Sequence, residues 1–218
     1  LGSCNLIEFP NFLRGLAELS FLYMSNNNIN SFPSWMWGKQ VFVSHNSLVG
    51  KISPLICNLK SLVHLDLSFN NLSGFPSCLG SRSSQSLQFL VPKGNQLTGP
   101  IPQTYTITNA LRMIDLSNNN LQGQLPRSLV NCRMLEVFEV SHNKINDTFP
   151  FWLGTLPELK VVALQDTHLY GSIMFPTTCT FRKLHIIDLS RNHFSGSLPP
   201  KKTELDIHES FKQESIAV

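Results

Sequence analysis

The chain has 218 residues, a formal net charge of +3, 42% hydrophobic residues and only 14% charged ones, against roughly 25% charged in an average globular domain. That apolar content excludes a disordered chain, and the lack of any Lys/Arg run longer than the pairs Arg182-Lys183 and Lys201-Lys202 excludes a nucleic-acid partner. No apolar run approaches the roughly 20 residues of a membrane span, so no membrane contact is expected within this stretch.

Two residue types are in excess, 32 leucines and 19 asparagines, and one repeat accounts for both. It starts in Gly2-Ser3-Cys4-Asn5-Leu6 and shows a degenerate copy in Leu22-Tyr23-Met24-Ser25-Asn26-Asn27-Asn28-Ile29. It is plain in Leu65-Asp66-Leu67-Ser68-Phe69-Asn70-Asn71-Leu72-Ser73-Gly74 and in Ile114-Asp115-Leu116-Ser117-Asn118-Asn119-Asn120-Leu121-Gln122-Gly123. It continues through Phe138-Glu139-Val140-Ser141-His142-Asn143-Lys144-Ile145 to Ile187-Asp188-Leu189-Ser190-Arg191-Asn192-His193-Phe194-Ser195-Gly196. The residue after each Leu-x-Leu-x-x gives the anchors Cys4, Asn27, Asn46, Asn70, Asn95, Asn119, Asn143, Thr167 and Asn192, spaced by 23, 19, 24, 25, 24, 24, 24 and 25 residues. A period near 24 with this pattern is the leucine-rich repeat signature. The predicted fold is an α/β solenoid of about nine coils over residues 1–200, with short parallel β-strands on the concave face and an irregular or short helical convex side. Residues 201–218 read as a polar, unpatterned tail. The chain opens at Leu1 inside the pattern, so it reads as a fragment or processed product with its caps missing.

The anchor asparagines form a turn column, each amide donating to and accepting from backbone groups that no strand ladder reaches. Cys4 and Thr167 at anchor positions satisfy fewer partners, so weaker coils are expected there. The 19-residue step implies a shortened convex side around Trp35 to Gln40, and Pro92, standing at a strand leucine position, predicts a local break.

Several coils carry Gly-x-(Ile/Leu)-Pro after the turn: Gly99-Pro100-Ile101-Pro102, Gly123-Gln124-Leu125-Pro126 and Gly196-Ser197-Leu198-Pro199, with Phe32-Pro33, Phe75-Pro76 and Phe149-Pro150 as shorter versions. This resembles the plant-specific extracellular subclass of leucine-rich repeats. Gly2-Ser3-Cys4-Asn5-Leu6-Ile7-Glu8-Phe9-Pro10, Pro33-Ser34-Trp35-Met36-Trp37, Ile56-Cys57-Asn58-Leu59 and Phe181-Arg182-Lys183-Leu184-His185-Ile186-Ile187-Asp188-Leu189-Ser190 resemble receptor-like proteins of the tomato Cf disease-resistance type. The resemblance implies a ligand-recognition ectodomain at the extracellular face of the plasma membrane. It also implies a single-pass anchor elsewhere in the full-length protein, a protein or peptide ligand, and defence signalling through co-receptor kinases. Two other readings share the repeat: an inhibitor of a secreted cell-wall hydrolase, like the polygalacturonase inhibitors, and the ectodomain of a leucine-rich receptor kinase.

Nothing in the sequence assembles an enzyme. Ser44-His45-Asn46 and Ser141-His142-Asn143 are repeat copies of Ser-x-Asn without a third catalytic group. The seven His residues lack metal-ligand spacing, so no metal or cofactor is expected. Binding residues are instead those flanking the strand leucines, whose identity the core does not fix. Aromatic residues gather in the N-terminal coils as Phe21, Tyr23, Phe42, Phe69 and Phe89, with His64, Lys93 and Met113 beside them. Asp66, Asp115, Glu139 and Asp188 form an acidic column. Contiguous exposed aromatics usually mark a partner surface. Asn71-Leu72-Ser73 and Asn146-Asp147-Thr148 are glycosylation sequons just past the strand. Of the five cysteines, Cys4 and Cys132 read as buried thiols, and Cys57 and Cys78, 11 and 8 residues past consecutive anchors, are a candidate disulfide if their Cα atoms lie within about 7 Å.

Overall fold

The computed structural model describes residues 1–16, 18–33, 40–58, 61–79, 86–173 and 181–196. In each coil an apolar residue occupies the centre of a three-residue strand and points inward, while its neighbours point away. After β1 (Phe21–Tyr23) and β2 (Gln40–Phe42) the chain adds a second short strand to most coils, giving β3 (Val49–Lys51), β4 (His64–Asp66), β5 (Asn71–Gly74), β6 (Phe89–Val91) and β7 (Thr98–Gly99). Then follow β8 (Met113–Asp115), β9 (Asn120–Gly123), β10 (Val137–Glu139), β11 (Lys144–Ile145), β12 (Val161–Ala163), β13 (Tyr170–Ser172), β14 (Ile186–Asp188) and β15 (His193–Ser195). The main sheet is parallel, eight-stranded and ordered β1-β2-β4-β6-β8-β10-β12-β14, a neighbour-to-neighbour stack. Eight of the nine anchors thus follow a strand of this sheet; the turn at Cys4 is tied to the next coil by Ser3 N–H to Ser25 O and Cys4 N–H to Asn27 Oδ1, both 3.0 Å.

The second set of strands, in small sheets β3-β5, β7-β9-β11 and β13-β15, was not anticipated from the sequence. It arises just past the anchors from Asn46 onward, where an apolar residue is turned inward (Leu121, 0% exposed) and, in most coils, a glycine turns the chain at positive φ (Gly123, 85°). The convex side holds 3-10 helices at Asn11–Gly15, Pro54–Asn58, Arg127–Asn131 and Phe151–Thr155, and no α-helix among the described residues. Pro10, Pro126 and Pro150 precede three of them, which gives the apolar-Pro phrases their local role: proline fixes φ near −65° for one tight turn. The shortened segment expected around Trp35 lies outside the described residues except for Gln40, as does the tail at 201–218.

Pro92 was expected to break the ladder, and the break is a single bond. Its counterparts Leu67 and Leu116 donate N–H to Val91 O (3.0 Å) and Glu139 O (2.8 Å). Proline has no N–H to give Asp115, so β6 and β8 pair at Phe89–Met113 and Leu90–Ile114 only. The ladder resumes two residues later, with Gly94 N–H on Ser117 O at 2.9 Å. Pro92 itself is buried, and its carbonyl accepts from the amides of Asn95 and Asn119 at 3.0 and 3.2 Å.

Each anchor asparagine ties two coils together. Asn70 Oδ1 accepts from Leu48 N–H of the preceding coil (3.0 Å), and Nδ2 donates to Val43 O of that coil and to Leu67 O and Ser68 O of its own. Asn27, Asn46, Asn95, Asn119, Asn143 and Asn192 repeat the arrangement. Thr167 has no amide: its hydroxyl lies 3.0 Å from Leu164 O and 2.6 Å from Asn192 Oδ1, and neither contact reaches back to the preceding coil. Thr167→Asn should restore an acceptor for Ile145 N–H and a donor to Val140 O. The expected gain is about 1 kcal/mol, or about 3 °C in Tm for a chain of this size, read by calorimetry; an unchanged or lower Tm would show that the threonine coil is already satisfied.

The reading of Cys4 as buried is corrected: it is exposed, with its Sγ 3.2 Å from Gly2 O. Cys132 is buried, accepts from Asn109 Nδ2 at 3.0 Å, and has its thiol pushed up to about 11 by burial. Cys57 and Cys78, 6.0 Å apart at Cα, join neighbouring coils on the convex side as a disulfide.

Candidate functional site

Because the strands stack in register, side chains on the open face of the main sheet fall into columns. The first column runs Phe21, Gln40, His64, Phe89, Met113, Val137, Val161, Ile186, and the second Tyr23, Phe42, Asp66, Val91, Asp115, Glu139, Ala163, Asp188. At the N-terminal end the aromatic side chains form one connected array. Tyr23 and Phe42 stack with centroids 4.5 Å apart and an 11° interplanar angle; Phe42 meets His64 at 6.0 Å; His64 and Phe89 stack at 4.3 Å and 4°. Phe21 and Tyr23 are more than half exposed, at 54% and 56%. Gln40 is withdrawn from this face: its Oε1 accepts from Val63 and His64 N–H (2.8 and 2.7 Å), and its Nε2 donates to Ser61 O (2.7 Å).

From β8 onward the first column turns aliphatic, through Met113, Val137 and Val161 to the exposed Ile186. The second column carries the acids Asp66, Asp115, Glu139 and Asp188. Val91 and Ala163 stand between them, and the aspartates are partly consumed. One oxygen each of Asp66, Asp115 and Asp188 accepts from the backbone N–H and the hydroxyl of the serine two residues on, at 2.6–3.0 Å. The repeated Asp-Leu-Ser is therefore first a local turn motif. Asp115 is 5% exposed, with its other oxygen 3.7 Å from Lys93 Nζ. Glu139 stands in register beside it, with Ser141 two residues on. Burial, and then the Asp115 carboxylate, hold the Glu139 carboxyl above its ordinary range.

A third column, Asn26, His45, Phe69, Gly94, Asn118, His142, Asp166 and Arg191, lies just before the anchors with every member at φ between 51° and 65°. This left-handed residue is what swings the following amide inward. Gly94 alone in this column lacks a side chain, and a Cβ there would stand 2.7 Å from the Phe69 ring. The absence of that Cβ lets Phe69 lie flat and stack on His45 at 4.4 Å. His45 and His64 pack on Phe69 and Phe89, and no metal-ligating cluster occurs among the described residues. His142 Nδ1 sits 2.9 Å from Asp166 Oδ2, while Ser141 is buried.

One feature escaped the sequence reading. Along the edge preceding the strands, Glu136 is bonded by Arg112 and, at 2.6 Å, by Lys160, the two residues at its register in the flanking coils. Lys160 and Arg112 hold its carboxyl below the usual range. The signal was legible: opposite charges at 24-residue offsets are neighbours in this fold. Both sequon asparagines, Asn71 and Asn146, are exposed; Asn71 Oδ1 accepts from Gln96 Nε2 at 2.6 Å.

Comparison with known proteins agrees with this geometry. The Leucine Rich Repeat family profile matches residues 18–38, 61–81, 110–132 and 183–201. Receptor-like protein 32 of Arabidopsis thaliana is 38% identical over 234 residues, covering 91% of this chain and 26% of its own length. Among solved structures, the plant peptide hormone receptor RGFR1 in complex with RGF2 aligns over 88% of this chain and 35% of that one, with a TM-score of 0.77 and 28% identity. The Arabidopsis receptor kinase HAESA, in complex with the peptide hormone IDA and the co-receptor SERK1, aligns over 91% of this chain and 42% of that one at TM-score 0.57 and 26% identity. The chain spans about a quarter of the length of the curated relatives it matches. Repeat, register and relatives agree that the chain belongs to the leucine-rich repeats of plant receptor-like proteins.

Proposed function

We propose that this chain is a ligand-recognition segment of a receptor ectodomain at the extracellular face of the plasma membrane, binding a protein or peptide on the open face of its main sheet. The observation that carries this reading is the connected aromatic array Tyr23, Phe42, His64 and Phe89, flanked by the exposed Phe21 and Phe69. Rings left at a surface in one contiguous patch, on positions the core does not constrain, are the composition of an interface centre. The structural neighbours with peptide hormones bound support a peptide as the ligand, and the one solved with a co-receptor supports signalling through partner kinases. A role in pathogen defence and glycans at Asn71 and Asn146 belong to the same proposal, resting on the likeness to receptor-like proteins and on the exposure of both asparagines.

The test is a comparative capture. Wild-type protein and a Phe42→Ala, Phe69→Ala double variant, made in plant cells, are incubated with apoplastic fluid, and bound peptides are identified by mass spectrometry. Loss of two buried-on-binding aromatic contacts is expected to weaken any peptide held there at least 100-fold, so peptides on the wild type should vanish from the variant. Equal recovery from both proteins would place binding elsewhere, and recovery of a cell-wall hydrolase alone would favour an inhibitor.

A further inference from the structure

The orientation of the aromatic array carries a finer statement about what it meets. Tyr23 and Phe42 are nearly parallel, as are His64 and Phe89, and each pair is displaced along the sheet from one strand to the next. Their faces are therefore turned toward one another, and their hydrogen-bearing edges stand toward the open side. A ring edge is the positive part of the aromatic quadrupole. Such edges favour the face of another ring, in edge-to-face contact, or a carbonyl oxygen. They disfavour a sugar, which stacks its C–H surface on an exposed ring face. From β6 the apolar path continues along Met113, Val137 and Val161, with the carboxylates of Asp115 and Glu139 directly alongside on β8 and β10. Lys93 offers one positive charge to these two carboxylates, so the apolar track is bordered on this side by excess negative charge. Seven inter-strand gaps of about 4.8 Å give a track of about 34 Å, the length of about ten extended residues.

We infer that the occupant of this face is an extended peptide of about ten residues that sets an aromatic side chain edge-to-face on the Phe42–His64–Phe89 array and a Lys or Arg over Asp115 and Glu139. This rests on the peptide-binding reading above and deepens it. From His64 on β4 to the midpoint of β8 and β10 is two and a half strand spacings, about 12 Å, and same-face side chains four residues apart in an extended chain are about 13 Å apart. The aromatic and the base should therefore be four positions apart.

A displayed random decapeptide library, selected on the full gene product made in plant cells, tests this directly, with chitohexaose as the carbohydrate probe. The expected result is enrichment of an aromatic residue and a Lys or Arg four positions apart, with affinity falling at high salt. Glu139→Gln, a shape-conserving change, should weaken the selected peptides about tenfold and erase the preference for the base while leaving that for the aromatic. Phe42→Leu should erase the aromatic preference and leave the base. Enriched peptides that are acidic, or that lack either preference, would overturn this inference and leave peptide binding standing. Binding of chitohexaose with no enriched peptide would overturn both, as would the absence of any enriched peptide.

Discussion

Phe138→Ala is expected to cost about 4 kcal/mol and to be the most damaging side-chain truncation among the described residues. Phe138 is the largest of the fully buried side chains among the described residues, 0% exposed at the centre of β10, and its register partners are Ile114 on β8 and Val162 on β12. One ring thus fills space that the flanking coils fill with smaller aliphatic groups. Alanine removes its burial and leaves a cavity that the rigid stack of coils on both sides cannot close. In a solenoid each coil touches only its neighbours, so the loss should appear first as local opening. Hydrogen exchange read by mass spectrometry should show β8, β10 and β12 losing protection together, with the coils near β1 and β2 little changed. Uniform loss along the chain would mean that the coils unfold as one unit, and a cost below about 1 kcal/mol would mean that neighbouring coils collapse into the space.

Asn143→Ala should cost about 3 kcal/mol through a different mechanism. Its amide is buried, accepts from Leu121 N–H at 2.9 Å, and donates to Leu116 O, Val140 O and Ser141 O at 2.9–3.2 Å. Alanine strands one N–H and lowers the satisfaction of three carbonyls between two coils, where a desolvated group without a partner costs about 1–3 kcal/mol. The measurement is thermal or denaturant unfolding beside Asn143→Asp. Aspartate keeps the acceptor for Leu121 but puts a carboxylate oxygen where the donor stood, against three carbonyl oxygens. It should be at least as destabilising as alanine at neutral pH and less so in acid, where a protonated carboxyl donates again. Asp equal to Asn at neutral pH would show that the donor half of the amide contributes nothing.

The differing legibility of the chain has physical causes. The anchors Asn27 to Asn192, the inward leucines and both open-face columns could be read directly, because a coil of about 24 residues repeats one set of environments and each environment admits few residue types. Families and relatives followed from the same residues. Other features depend on two coils at once. The Pro92 break shrank to one bond because the neighbouring strands resume pairing beyond it, which no single coil reveals. Cys4 reads like the other anchors, yet its thiol is exposed and bonds the Gly2 carbonyl. The second sheets exist only because the segments just past successive anchors lie alongside each other.

For the candidate site, the sequence by itself determined which residues stand on the open face: alternation sends them there, and the period sets them in columns. It also implied the ion ladder of Arg112, Glu136 and Lys160, through charges 24 residues apart. Only the tertiary structure decided how much of each side chain remains available. Gln40 turns back to bond Val63 and His64 N–H, the Asp carboxylates bond serines two residues on, and the aromatic rings take up one another's faces and offer their edges. The reason is geometric. A sequence fixes which groups are brought to the same surface, but the partner that satisfies each group is chosen by distances between coils, and those are set only when the strands stack about 4.8 Å apart.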